Sequence, residues 1–119
     1  MRIISGFFKG RKILEPNDEK TRPLKDLTKE SIFNIIAHSN KIKISLQESK
    51  VLDLFSGTGS FGIECLSRQA KFVTFVENYP RIIPILKSNL AKLIDTAHNP
   101  LTDSIWALVV AITMILRCN

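Results

Sequence analysis

Three glycines, Gly57, Gly59 and Gly62, stand in G-x-G-x-x-G spacing between two carboxylates, Asp53 four residues before the first and Glu77 twenty residues after it. Glycines so spaced let a chain turn tightly and admit a ligand against its backbone. An acid about twenty residues on, at the end of the following strand, accepts hydrogen bonds from ribose hydroxyls. Taken alone, the spacing fits a dinucleotide. Asp53 argues against one, because its carboxylate faces whatever the loop cradles and would repel a pyrophosphate. S-adenosylmethionine (SAM) instead offers an ammonium and a sulfonium, and a charge-assisted hydrogen bond to such a carboxylate contributes about 1.5–3 kcal/mol. The loop is therefore read as a SAM site, with a nicotinamide dinucleotide as the rival ligand and glycines that serve packing alone as the bland alternative.

These residues need a strand on each side of the loop and a helix behind it. Val51-Leu52-Asp53-Leu54-Phe55 is a short apolar run that ends in the glycines, the pattern of a buried parallel strand entering a tight turn. A helix over about 60–67 and a second strand over 72–76 complete a βαβ unit. Apolar positions 82, 86, 90 and 93 predict a helix over 81–94, with Pro84 kinking or delaying its first turn. Upstream, residues 2–14 predict a β-hairpin turning at Lys9-Gly10 and carrying Arg2, Lys9, Arg11 and Lys12. A polar loop over 15–26 leads to a helix starting at Asp26 or Thr28, capped by one of those side chains. That helix sets Ile32, Phe33 and Ile36 on one face and ends near residues 38–40. Residues 41–50 read as a linker.

Charge is unevenly distributed. Residues 1–50 hold 11 Lys and Arg against 6 Asp and Glu, so five of the six net positive charges lie there. The segment lacks a strongly amphipathic basic helix, so its polyanionic partner is expected to be nucleic acid rather than a membrane. Cys65 and Cys118 form no CxxC and have no nearby His pair, so no disulfide framework or metal site is expected, and a reducing cytoplasm is the expected location. Lys9 and Arg11 interrupt the N-terminus before a signal sequence forms. The apolar run over 105–116 is 12 residues long, short of the ~17–25 needed to span a membrane.

From Asp53 to Glu64 the sequence Asp-Leu-Phe-Ser-Gly-Thr-Gly-Ser-Phe-Gly-Ile-Glu resembles the cofactor motif of the RsmD family. Met1-Arg2-Ile3-Ile4-Ser5-Gly6, Lys9-Gly10-Arg11, Thr21-Arg22-Pro23 and Ile32-Phe33-Asn34-Ile35 are similar as well, so the resemblance covers about residues 1–94. That family methylates the exocyclic N2 of a guanine in bacterial 16S ribosomal RNA. The resemblance implies an α/β fold: a Rossmann-like, class I SAM-dependent methyltransferase sheet preceded by a β-hairpin extension. It implies that Asp53, Gly57 and Gly59 shape the methionine side of the SAM site, with Phe55 also among the cofactor-binding residues. Glu77 would hold the ribose and Asn78 would border the adenine. Arg2, Lys9, Arg11, Lys12 and Arg22 would contact RNA, namely 16S rRNA in the small subunit or its assembly intermediate, and the folded chain would be a monomer.

The family pattern then breaks off. A member is expected to present Asn/Asp-Pro-Pro-Tyr/Phe after its fourth strand, where the motif holds the target amine and stacks on the base. Asn99-Pro100-Leu101-Thr102 lacks the second proline and the aromatic, and is read as a turn. No catalytic residue is therefore assigned. The division expected is a basic hairpin and helix over 1–50, a SAM-binding βαβ unit over 51–95 and a divergent apolar tail over 96–119. Such a tail is what a frameshift or premature stop leaves, giving a C-terminally truncated chain with an incomplete sheet; its apolar run could instead form a buried element replacing part of that sheet. Three functions stay open: an rRNA guanine-N2 methyltransferase, an inactive RNA- or SAM-binding remnant, and a nicotinamide-dinucleotide module.

Overall fold

The computed structural model describes residues 1–17 and 24–94. The turn at Asn99-Pro100, the tail over 96–119, Cys118 and the loop carrying Arg22 lie outside the described residues. Helix α1 (Asp26–His38) is followed by strand β1 (Lys50–Asp53), helix α2 (Ser60–Ser67), strand β2 (Phe72–Phe75) and helix α3 (Ile83–Ile94). The two strands pair in parallel, with Val51 opposite Val73 and Asp53 opposite Phe75, so β1, α2 and β2 form the expected βαβ unit. This is the opening unit of a Rossmann-like α/β sheet.

Strand β1 is shorter than its apolar run. The Val76 N–H donates to the Asp53 carbonyl at 2.9 Å and the Ser56 N–H donates to the Val76 carbonyl at 3.0 Å, which loops residues 54–55 out of the ladder. Burial reaches one face only: Leu52 is 59% exposed, and the expectation of a strand covered on both sides is corrected accordingly. On the covered side, Ile63 and Leu66 of α2 pack in one core with Val73 and Phe75 of β2, Phe33 of α1 and Leu86 of α3. In α3 the turn begins at Tyr79, whose carbonyl accepts from the Ile82 and Ile83 N–H groups, and Pro84 sits in the first turn, where its missing N–H is harmless.

Two further expectations change. The N-cap position of α1 is held by Lys25 and makes no side-chain cap; Asp26 lies inside the first turn, and its carboxylate is the partner of the Arg2 N–H at 3.5 Å. The N-terminal hairpin pairs only where Arg2 bridges Lys12, with the Ile3 N–H donating to the Arg11 carbonyl at 2.9 Å and the Gly10 N–H to the Ile3 carbonyl at 2.8 Å. It builds no ladder because its tip donates elsewhere. The Ile4 and Ser5 N–H groups reach the Glu64 carboxylate at 2.9 and 3.0 Å, the Phe7 N–H reaches the Ser67 carbonyl at 2.8 Å, and the Phe8 N–H reaches Ser67 Oγ at 3.0 Å. The hairpin is thus clamped along α2. Gly6, at φ +87°, permits this: a Cβ there would collide with the Ser67 carbonyl.

Candidate SAM site

The loop between β1 and α2 brings both predicted acids to the same place. The Gly62 N–H donates to Asp53 Oδ2 at 3.0 Å, which ties the end of β1 to the first turn of α2. The Gly57 N–H donates to Glu77 Oε2 at 2.8 Å, and Glu77 Oε1 accepts from the Asn78 and Tyr79 N–H groups, both at 2.8 Å. Asp53, Gly57, Gly59 and Glu77 therefore surround the N-terminus of α2, with the Asn78 backbone beside them. Phe55 does not join them, since its ring is 96% exposed where residues 54–55 loop out. Of the four acceptor positions a carboxylate offers, Glu77 has three engaged by backbone. A ribose diol taking both of its oxygens has to displace at least one of those N–H groups.

Space at the loop is unequal. A Cβ on Gly57 would meet nothing within 4 Å, so the backbone there is open to a ligand. A Cβ on Gly59 would fall 2.5 Å from Leu86 Cδ1, at a φ of +86°, so this glycine is needed for packing α3 against the loop. Asn89 of α3 fixes the loop from behind. Buried at 4% exposure, it donates to the Thr58 carbonyl at 2.9 Å while its Oδ1 accepts from the Leu14 N–H at 2.8 Å.

The electrostatics are one-sided. Burial pushes the Asp53 carboxyl above its ordinary pKa, the Gly62 N–H pulls it back, and the charge of Glu77 pushes it up further. Among the described residues no Lys or Arg pairs with either acid. The same fields raise the buried Cys65 thiol to about 12, by burial first and then by Asp53 and Glu64, against the opposing pull of Arg68. Cys65 is thereby an inert packing residue.

A different acid forms the junction that sequence reasoning missed. Glu64, fully buried, accepts from the Ile4 and Ser5 N–H groups, from Arg68 Nε at 3.0 Å and pairs with Lys29 Nζ at 3.4 Å. Lys29, also fully buried, donates to the Arg2 carbonyl at 2.7 Å and to Ser60 Oγ at 3.2 Å. The node joins hairpin, α1 and α2. Lys29 falls on the same face of α1 as Phe33, which is the one signal that could have found it.

The predicted RNA-contacting residues separate by environment. Arg2, Lys9 and Lys12 are exposed, whereas Arg11 is half-buried with its guanidinium over the Phe8 ring at 4.9 Å. Among the described residues no three His, Cys, Asp or Glu side chains gather to hold a metal ion, and no helix is long and apolar enough to cross a membrane.

A family model described as "Conserved hypothetical protein 95" matches residues 1–108, past the point near residue 95 where the resemblance read from the motifs stops. The chain is 43% identical over 93 residues to Ribosomal RNA small subunit methyltransferase D of Haemophilus influenzae, covering 78% of this chain and 45% of that protein. It is 36% identical over 93 residues to the Escherichia coli protein of the same name, covering 78% and 44%. A solved structure, "Putative methyltransferase yhhF from Escherichia coli", superposes with a TM-score of 0.65 at 32% identity, covering 81% of this chain and 48% of that one. The chain spans about half the length of the curated relatives it matches.

Proposed function

The chain belongs to the RsmD family of methyltransferases, and from that premise we propose that it supplies the SAM-binding and RNA-facing half of a methyltransferase acting on guanine N2 of small-subunit ribosomal RNA. One observation carries the cofactor assignment. Among the described residues two carboxylates converge on the glycine loop with backbone N–H groups as their only partners, and burial, followed by the charge of Glu77, holds Asp53 less acidic than usual. A ligand with positive charge relieves that arrangement; a pyrophosphate aggravates it. SAM fits both the charge and the open backbone at Gly57, with its ammonium and sulfonium toward Asp53 and its ribose toward Glu77, Asn78 lying beside the adenine.

Bound there, SAM supplies an electrophilic methyl group. Guanine N2 is a weak nucleophile because its lone pair is delocalised into the ring, so transfer depends on holding the amine in line with that methyl. The 119 residues contain no Pro-Pro-Tyr or Pro-Pro-Phe to orient the amine. What these residues themselves support is cofactor binding on a helix that also holds a basic hairpin, where Arg2, Lys9, Arg11 and Lys12, together with Arg22, would bind the RNA backbone.

Calorimetric titration separates the readings. SAM binding without binding of nicotinamide dinucleotides supports the assignment, and the reverse overturns it. Transfer of labelled methyl groups to unmethylated small-subunit particles, with a full-length RsmD protein as control, then distinguishes an active enzyme from a binding-only chain.

A further inference from the structure

We propose that the exposed ring of Phe7 is a stacking platform for an unpaired base of single-stranded RNA. The proposal rests on the RNA-facing reading of the hairpin and assigns to it a contact of a different kind from the phosphate contacts of its cations. Phe7 is 51% exposed at the hairpin tip, in the most basic part of the chain. Its backbone is pinned. The Phe7 N–H donates to the Ser67 carbonyl at 2.8 Å, and Ser67 Oγ donates to the Ser5 carbonyl at 2.6 Å while accepting from the Phe8 N–H. Gly6 makes that close approach possible, so the ring is presented from a fixed base.

Phe8 supports it from inside the core. The two rings stand edge to face, 5.1 Å apart at 86°, so Phe8 packs against Phe7 while about half of Phe7 stays exposed to water. Lys9 and Lys12 are exposed on the same hairpin, and Arg11 lies over Phe8. An exposed aromatic ring among cations is what a flexible, unpaired strand requires: phosphates meet the charges and a base finds a π-face. A duplex gains less, because its bases are already stacked on both sides.

The other concavity nearby does not suit a base. A cavity of about 280 Å³ lies behind the hairpin with Ile3, Ile13, Ile63 and Leu93 in its walls and Arg11, Lys12 and Lys92 also lining it. The polar atoms of Asn89 beside it are already engaged by Leu14 and Thr58. The lining cations can only donate, so a base buried there would leave its own N–H groups without acceptors, whereas one stacked on Phe7 keeps its polar edge in water.

The test uses the whole chain with a labelled single-stranded oligoribonucleotide and the matching duplex, titrated at several salt concentrations. Phe7→Leu is expected to weaken single-strand binding about five- to a hundredfold while leaving the slope of log K against log salt unchanged. The double variant Lys9→Ala/Lys12→Ala is expected to lower that slope by roughly one to two units. Phe7→Trp in a Trp106→Phe background, where it is the one tryptophan of the chain, is expected to retain affinity, and its fluorescence to be quenched by the single strand and not by the duplex. Wild-type affinity in Phe7→Leu at every salt concentration, or an unquenched Trp in a chain that binds RNA, overturns the stacking role while leaving the RNA-facing hairpin intact. Failure of the wild-type chain to bind either RNA overturns both.

Discussion

Asp53 lies just before α2 and Glu64 within it, and the structure treats these two carboxylates in opposite ways. Glu64 is wholly buried yet fully neutralised, its acceptor positions taken by two backbone N–H groups, Arg68 and Lys29. Asp53 is less deeply placed yet, among the described residues, has a single N–H donor and a second acid for a neighbour. The deeper charge is therefore structural, and the shallower one is the acid proposed above to meet a ligand. Burial alone would have ranked them the other way. Completeness of the partner set separates the acid that holds the fold from the one proposed to bind a cation.

The largest effect expected from breaking this contrast is on stability. Glu64→Gln leaves the Lys29 ammonium buried without its counter-charge, and removing one member of such a pair typically destabilises by ~3–5 kcal/mol. Urea unfolding should register the loss, and the double variant Lys29→Met/Glu64→Gln should be less destabilised than the sum of its single changes. Strict additivity would show that Lys29 and Glu64 do not act as a pair.

The next effect is on binding and runs the other way. Asp53→Asn keeps an acceptor for the Gly62 N–H and removes a charge that the fold does not neutralise, so stability should hold or rise. SAM affinity should fall about ten- to a hundredfold, the equivalent of one charge-assisted hydrogen bond. Calorimetry that finds wild-type affinity would remove Asp53 from the cofactor site.

The same contrast explains what was legible beforehand. The strand, glycine turn, helix and second strand follow from apolar runs and spacing that local chemistry dictates, and Asp53 and Glu77 meet because parallel pairing sets Asp53 opposite Phe75. Lys29 was invisible because hydrophobic periodicity counts a lysine as surface, and only the fold brings Glu64 to it. The hairpin was legible in outline, but its tip uses Glu64 and Ser67 as acceptors in place of a partner strand. The unbuilt cap of α1 has a similar cause: Asp26 is drawn to the Arg2 N–H, a contact from a distant part of the chain. Strand β1 ended early because Ser56 returns to Val76, a bond between elements that no single run of residues encodes.

The smallest effect expected is on pH dependence, and its sign is the sharpest test of the contrast. Burial first, and then Glu77, raise the Asp53 carboxyl above its ordinary value, so the folded chain binds that proton more tightly than the unfolded chain. The stability this contributes is fully present below the unfolded pKa, and it is lost as pH rises through the raised folded value. Subtracting the unfolding free energy of Asp53→Asn from that of the wild type isolates this contribution, because other carboxylates cancel. The difference should fall with rising pH across that window. SAM affinity should do the opposite, rising over the same window as the carboxylate ionises and becomes able to meet a cation, and Asp53→Asn should flatten the profile. Opposed slopes from one group are what a charge held for a ligand produces. A carboxylate satisfied within the fold would lose stability on protonation instead. Parallel slopes, or a pH-independent SAM affinity in the wild type, would place Asp53 with Glu64 among the structural acids.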